Sequence, residues 1–280
     1  MKKLTLSLCT LTGVLALAGG GSGGCSSSGG GSGTGGSTGN GGASGISLAP
    51  TSTGFVTGNS AGIIGPWYAY GDSVGAGANT TTTDAANSDC QKKGGFPPSA
   101  CSVIDSPTPG QPFMPDTTSG AMCTSGTAAL VMNGTSGSAD YSDLWGAGIA
   151  LDLNNPGGDA GVKGSWDGSA YTGFSFDFSG PMIPNKSIRV NFPFVGEHGT
   201  DSPYYLGGGL TAQTYSLNAA GHVVIHWADI GGPKYLKDQN IDPPPFDKTQ
   251  IQSIQFQVTT NATTTTPYSF CVNNLTLLTN

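Results

Sequence analysis

The chain has 280 residues, a formal net charge of −7 and only 10% charged residues, with a single Glu (Glu197) and a single Arg (Arg189). That balance argues against nucleic acid as a partner, since phosphate binding needs Lys/Arg clusters and none is present, and against direct adsorption to an anionic membrane. Gly, Thr, Ser, Asn and Pro stand where helices draw on Glu, Lys, Arg, Leu and Ala, so the predicted class is all-β.

The N-terminus reads as an export signal. Lys2 and Lys3 precede a mainly apolar run over residues 4–18, which is shorter than the roughly 20 residues that cross a bilayer. Two processing routes compete. Cleavage after Ala16-Leu17-Ala18 gives a secreted product, whereas Ser22-Gly23-Gly24-Cys25 resembles a bacterial lipoprotein signal that lipidates Cys25. Residues 1–25 are therefore assigned to a lipoprotein-like signal and 26–46 to a Gly/Ser tether, a flexible coil with a root-mean-square reach of roughly 25 Å. A tether is useful when one end is held, which favours the lipid anchor in a bacterial envelope.

Residues 47–280 form the predicted body. Period-two alternation runs through 172–178 (Phe174, Phe176, Phe178), 186–194 (Ile188, Val190, Phe192, Phe194) and 254–258 (Ile254, Phe256, Val258, facing Gln255 and Gln257). Residues 128–132, 148–153, 222–227 and 268–277 also read as strands. Turn signals separate them, including Asn155-Pro156-Gly157-Gly158 and Asp242-Pro243-Pro244-Pro245. Short strands with such punctuation predict a two-sheet antiparallel β-sandwich. Residues 73–122 lack periodicity and read as a loop excursion pinned by sulfur.

The body holds Cys90, Cys101, Cys123 and Cys271, and an even number in an exported chain predicts disulfides. Three pairings are open. The favoured one joins Cys90 to Cys101 around a Gly/Pro-rich stretch and Cys123 to Cys271 across most of the body. The C-x₂₋₄-C spacing of a zinc site is absent.

A family resemblance is carried by Trp67-Tyr68-Ala69-Tyr70-Gly71-Asp72, Leu144-Trp145-Gly146-Ala147-Gly148-Ile149 and Tyr171-Thr172-Gly173-Phe174-Ser175-Phe176. It continues through Ile188-Arg189-Val190, Ile254-Gln255-Phe256-Gln257-Val258 and Phe270-Cys271-Val272-Asn273-Asn274-Leu275. In order and pattern these resemble the galactose-binding-like jelly-roll domains of bacterial carbohydrate-binding modules. The resemblance implies a jelly roll that binds glycans. It also implies a structural calcium, with Asn273-Asn274 at the place where the family carries Asp-Asn, and with Asp72 as a compensating ligand.

Sugar sites need flat aromatic faces and a few placed polar groups. The candidates are Trp67, Tyr68, Tyr70 and Asp72, then Glu197 and His198 with the loop residues Tyr204 and Tyr205, then Trp227 and Asp229. If 67–72 is a strand, Trp67 and Tyr68 point to opposite faces; Trp67 and Trp145 read as core. A glycosidase would need two carboxylates, and Glu197 with Asp201 or Asp229 is the grouping available. There is no H-E-x-x-H or G-x-S-x-G motif. The expected function is non-catalytic binding of a polysaccharide or cell-surface glycan by a tethered monomer. A glycan hydrolase and a structural surface lipoprotein with protein partners are the alternatives.

Overall fold

The computed structural model describes residues 44–73, 90, 95–106, 120–131, 141, 143–158, 163–182, 188–194, 210–211, 221–230 and 246–279. The signal, Cys25 and the tether up to residue 43 lie outside the described residues, as do Glu197, His198, Tyr204 and Tyr205.

Twelve strands are described within the unit Ala43–Asn280. They are β1 Gly45–Ser47, β2 Phe55–Val56, β3 Gly65–Gly71, β4 Val103–Ser106, β5 Met122–Ala128 and β6 Gly146–Asp152. Then follow β7 Gly173–Met182, β8 Ile188–Phe192, β9 Leu210–Thr211, β10 Gly221–His226, β11 Ser253–Thr259 and β12 Thr266–Leu278. One sheet has the order β10-β7-β12-β5-β4, with β1 also on β12; the other runs β2-β3-β6-β11-β8-β9. Neighbours pair antiparallel, giving a two-sheet sandwich of the jelly-roll class.

The alternation seen in the sequence is the reason for this arrangement. Phe174, Phe176 and Phe178 of β7 and Ile254, Phe256 and Val258 of β11 are all buried between the sheets, with Ile188, Val190 and Phe192 of β8. Phe176 meets Phe256 edge-on at 5.0 Å, and Trp67 stacks on Phe256 at 6.0 Å, so Trp67 is core as expected. Each such side chain contributes about 1.5–3 kcal/mol by leaving water.

Three segments depart from the sequence expectation, each for a local reason. The apolar run 128–132 contributes only Ala128 to a strand; β5 lies earlier, over Met-Cys-Thr-Ser-Gly-Thr-Ala. Its inward positions include Thr124 and Gly126, too polar or too small to show a hydrophobic period. Gly126 is needed there, because a Cβ would collide with the Val103 carbonyl and crowd the Tyr268 phenol. Second, the stretch 73–122 carries β4, whose Val103 and Ile104 pair with β5. Third, β1 begins at Gly45, where the tether was expected, and Gly45 and Ile46 register with Leu278 and Leu277.

Both expected disulfides are present. Cys90–Cys101 closes a short loop, and Cys123–Cys271 joins directly opposed residues of β5 and β12. The outer face of this first sheet is polar, with Ser175, Asp177 and Ser179 on β7. Asp177 accepts a hydrogen bond from Asn274 Nδ2 at 2.6 Å and lies 2.7 Å from His222 Nδ1. These contacts, Asn274 first and His222 second, hold the Asp177 carboxyl below its ordinary range.

Candidate functional site

The outer face of the second sheet is built differently. Strand register lays two rows of side chains across four strands. Tyr68 of β3 stands opposite Ala150 of β6, which stands opposite Gln255 of β11, which stands opposite Asn191 of β8. The next row is Tyr70, Gly148, Gln257 and Arg189. Alternation sends these residues away from the core, since Ala69, Ile149, Phe256 and Val190 between them point inward. The result is a trough over β6, with an aromatic wall on β3 and an amide wall on β11 and β8; its floor of Gly148 and Ala150 is buried, and so are Asn191 (1% exposed) and Gln257 (8%) on the amide wall. Its backbone-to-backbone width from β3 to β11 is two strand spacings, about 10 Å.

Each part of the trough is held in place. Trp145 precedes β6 and stacks on Tyr70 at 5.7 Å, and Tyr70 lies 6.3 Å from Tyr68, giving a strip of three half-buried rings. The floor at 148 must be bare, because a Cβ there would collide with the Phe256 carbonyl oxygen. On the amide wall, Asn191 Nδ2 donates to Gln257 Oε1 at 3.0 Å, and Gln257 Nε2 donates to the Trp145 carbonyl at 3.0 Å. The two walls are thus tied through Trp145.

Two polar atoms here have no partner although they are buried: the Tyr70 hydroxyl and Asn191 Oδ1. Buried polar atoms are nearly always paired, so these two make the face a candidate site, although Trp67 Nε1, Thr124 Oγ1 and Asn273 Oδ1 are buried and unpaired elsewhere. Both phenols stay protonated at neutral pH. Burial pushes Tyr68 well up, with Asp152 adding to the effect, and burial likewise raises Tyr70, with Tyr68 and Tyr268 adding to it. Apart from Arg189, the trough therefore offers neutral hydroxyl and amide groups, each able to donate or accept.

Of the described residues named from the sequence as candidates, Tyr68 and Tyr70 belong to this trough. Asp72 is 0% exposed: its carboxylate accepts from Ser102 N (2.9 Å), Ser102 Oγ (2.8 Å) and Gly146 N (2.8 Å), joining the end of β3 to the approaches of β4 and β6. Trp227 sits elsewhere, in a short 3-10 turn after β10. Its indole N–H donates to the carbonyls of Tyr171 (2.8 Å) and Gly168 (3.2 Å), and its ring meets Phe174, Phe192 and Phe246 at 5.2–5.9 Å. Its remaining surface lines a shallow groove of about 410 Å³ with Tyr171, His226 and Lys248. Asp229 accepts from the His226 backbone N–H at 2.9 Å, ordering that turn. Glu197, His198, Tyr204 and Tyr205 fall outside the described residues.

Sequence reasoning passed over Trp145, Gln255, Gln257, Asn191 and Arg189 as site residues. Trp145, read as core, is half-buried and belongs to neither buried cluster. The available signal was a shared non-core face: Tyr-x-Tyr, Gly-x-Ala, Gln-x-Gln and Arg-x-Asn on four strands.

The calcium implied by the family resemblance does not fit these residues. Asp72 is committed to Ser102 and Gly146, while Asn273 stands opposite Asp177 on the first sheet. Among the described residues no group of three or more His, Cys, Asp or Glu converges.

No family model matches the sequence, and no curated protein matches it. Among solved structures, this chain is similar to the family 11 carbohydrate-binding module of the cellulosomal cellulase Lic26A-Cel5E of Clostridium thermocellum. Identity is 15%, covering 64% of this chain and 81% of that one, with a TM-score of 0.32. A second similar structure, the solution structure of CtCBM11, is 16% identical over 57% of this chain and 84% of its own length, with a TM-score of 0.27. Likeness at this level carries no weight beside the strand pairing itself, on which the sandwich assignment rests.

Proposed function

We propose that this protein binds a neutral glycan, without chemical turnover, in the trough over β6. The observation that carries this reading is the pair of cross-sheet rows, which set an aromatic wall opposite an amide wall over a floor of Gly148 and Ala150. A pyranose ring has an apolar C–H face, which suits Tyr68, Tyr70 and Trp145, and a rim of hydroxyls, which suits Gln255, Gln257 and Asn191. Outward residues on a strand recur about every 6.8 Å, a spacing of the order of one sugar residue along a linear chain. The solved structures similar to this chain are titled as carbohydrate-binding modules, which agrees with the reading without adding weight to it.

The body is proposed to act outside the cytoplasm, held by Cys25 or secreted after Ala18. The charged, apolar and Gly/Ser order of residues 1–46 supports export, and two disulfides suit an oxidising compartment. Mass spectrometry of the mature N-terminus separates the routes: diacylglyceryl-Cys25 for the anchor, a chain beginning at Gly19 for secretion.

A glycan array tests the binding function. The wild type is expected to retain at least one neutral oligosaccharide, and Trp145→Ala to lose it while melting at nearly the same temperature. A folded wild type that binds nothing on the array contradicts the proposal.

A further inference from the structure

The two disulfides stand in opposite surroundings. Cys90 and Cys101 are 0% and 4% exposed and pack with Ala129, Val131 and Leu144 in a small apolar cluster of their own. Asp72 clamps both ends of that bond. Its carbonyl accepts from the Cys90 backbone N–H at 2.9 Å, and its carboxylate holds Ser102, the neighbour of Cys101. Cys123 and Cys271 are each partly exposed, on the outer face of the first sheet. Alternation sends them outward, since Met122, Thr124, Phe270 and Val272 beside them are buried. Their described neighbours on that face are serines: Ser269 stands opposite Ser125 at the next outward pair, and Ser179 of β7 stands opposite Cys271.

Place in the sheet decides what breaking this second bond does. β5 and β12 are joined by seven registered pairs over Met122–Ala128, and β12 is paired on its other side with β7. Their inward side chains Met122, Tyr268, Phe270 and Val272 belong to the main core and do not depend on the bridge. Two thiols at 123 and 271 therefore stay face to face, held by register, and the bond can close again between the same partners. On its far side β5 has a weaker neighbour. β4 pairs with it only through Val103, Ile104 and Ser106, with a shift of register between the last two. The bridge thus pins the β4–β5 edge to the centre of the sheet.

We infer that Cys123–Cys271 is a reversible redox switch that sets the stability of the body, while Cys90–Cys101 is a permanent bond. The reductant is a dithiol. One of its thiolates attacks the Sγ of Cys123 or Cys271, breaking the S–S bond and releasing the other cysteine as a thiolate that takes up a proton. Its second thiol, deprotonated, attacks the mixed disulfide and frees the first cysteine; the reductant leaves as a disulfide, two electrons having passed to the protein. Access of the thiolate to sulfur governs the rate of such an exchange, which separates the partly exposed bridge from the buried one. The bridge joins residues 148 apart. Opening it returns that loop's entropy to the unfolded chain and lowers the folding equilibrium constant roughly thirty- to seven-hundred-fold. The switch is independent of what the trough binds.

Differential alkylation of the mature protein tests it. Oxidised protein is exposed under native conditions to graded dithiothreitol, quenched in acid and alkylated, and each cysteine is quantified by mass spectrometry. Cys123 and Cys271 are expected to open about tenfold faster than Cys90 and Cys101, or more. The opened protein is expected to keep its β-sheet circular dichroism, to unfold at lower urea, and to regain both bond and midpoint in oxidised glutathione. Amide exchange should quicken in Val103–Ser106 and Met122–Ala128 more than in Gly146–Asp152. Cys90–Cys101 opening first, both bonds opening only at the rate of global unfolding, or loss of the β-sheet signal on reduction would overturn the inference. The double variant Cys90→Ser, Cys101→Ser isolates the switch and is expected to cycle between two urea midpoints; if it does not fold, the wild-type labelling pattern decides.

Discussion

Trp227 and Tyr70 both sit among aromatic rings, and the two clusters are finished in opposite ways. Around Trp227 the indole N–H has two carbonyl acceptors and three phenylalanines close on the ring. Around Tyr70 the rings are half-buried, the phenol oxygen has no partner, and a row of amides faces it across a bare floor. The first cluster closes the sandwich on itself. The second leaves a buried hydroxyl and an amide oxygen without partners. Counting aromatics near loops does not separate the two; asking which polar atoms are already satisfied does.

The comparison can be broken by variants that divide stability from binding. The largest effect is expected at Asp72. Asp72→Ala leaves the N–H groups of Ser102 and Gly146 without their acceptor inside the protein, and should cost about 3 kcal/mol or more in urea unfolding, since each hydrogen bond to a charge is worth about 1.5–3 kcal/mol. Next comes Trp227→Ala, expected to lose about 3 kcal/mol of stability from the cavity it leaves, with glycan affinity unchanged at temperatures where the variant is folded. Replacing both Cys123 and Cys271 by Ser should cost about 2–4 kcal/mol, because the bridge closes a long loop in the unfolded chain.

Trp145→Ala should show the reverse division. Glycan affinity falls by about 2 kcal/mol, roughly thirty-fold, as for an aromatic anchor at the centre of a binding patch, while the urea midpoint moves little. The smallest effect is at Asp177. Its folded pKa lies below the unfolded one, so its contribution is full above the ordinary carboxylate value of about 4 and is lost as the pH falls through the lower folded value. The side chain is well exposed, which limits the contribution to a few tenths of a kcal/mol. Asn274→Ala should flatten the acid limb of a stability-versus-pH curve by that amount and leave binding untouched.

Much of the fold was legible because large inward residues alternate on β7, β8 and β11. Strand β5 was not, since Thr124 and Gly126 on its inner face give no hydrophobic period, and their fit is decided by Tyr268 and Val103 far away in sequence. The site was legible only in fragments. Gln255 and Gln257 stood out as a non-core face, and Tyr68 and Tyr70 as candidate rings. What joins them to Gly148, Asn191 and Arg189 is the pairing of strands up to roughly a hundred residues apart, and register of that kind is set by tertiary packing rather than by any one segment. Asp72 illustrates the converse. A carboxylate next to aromatics suggests a ligand contact in sequence, yet its place after β3 puts it among backbone donors from two other segments.

Nuclear magnetic resonance titration of the body with a glycan selected on the array tests the location of the site most directly. The backbone and side-chain amide signals of Tyr68, Tyr70, Gly148, Gln255 and Gln257 are expected to shift together, while those of His226, Trp227 and Lys248 stay still. Shifts confined to the Trp227 groove, with the trough silent, would contradict the account.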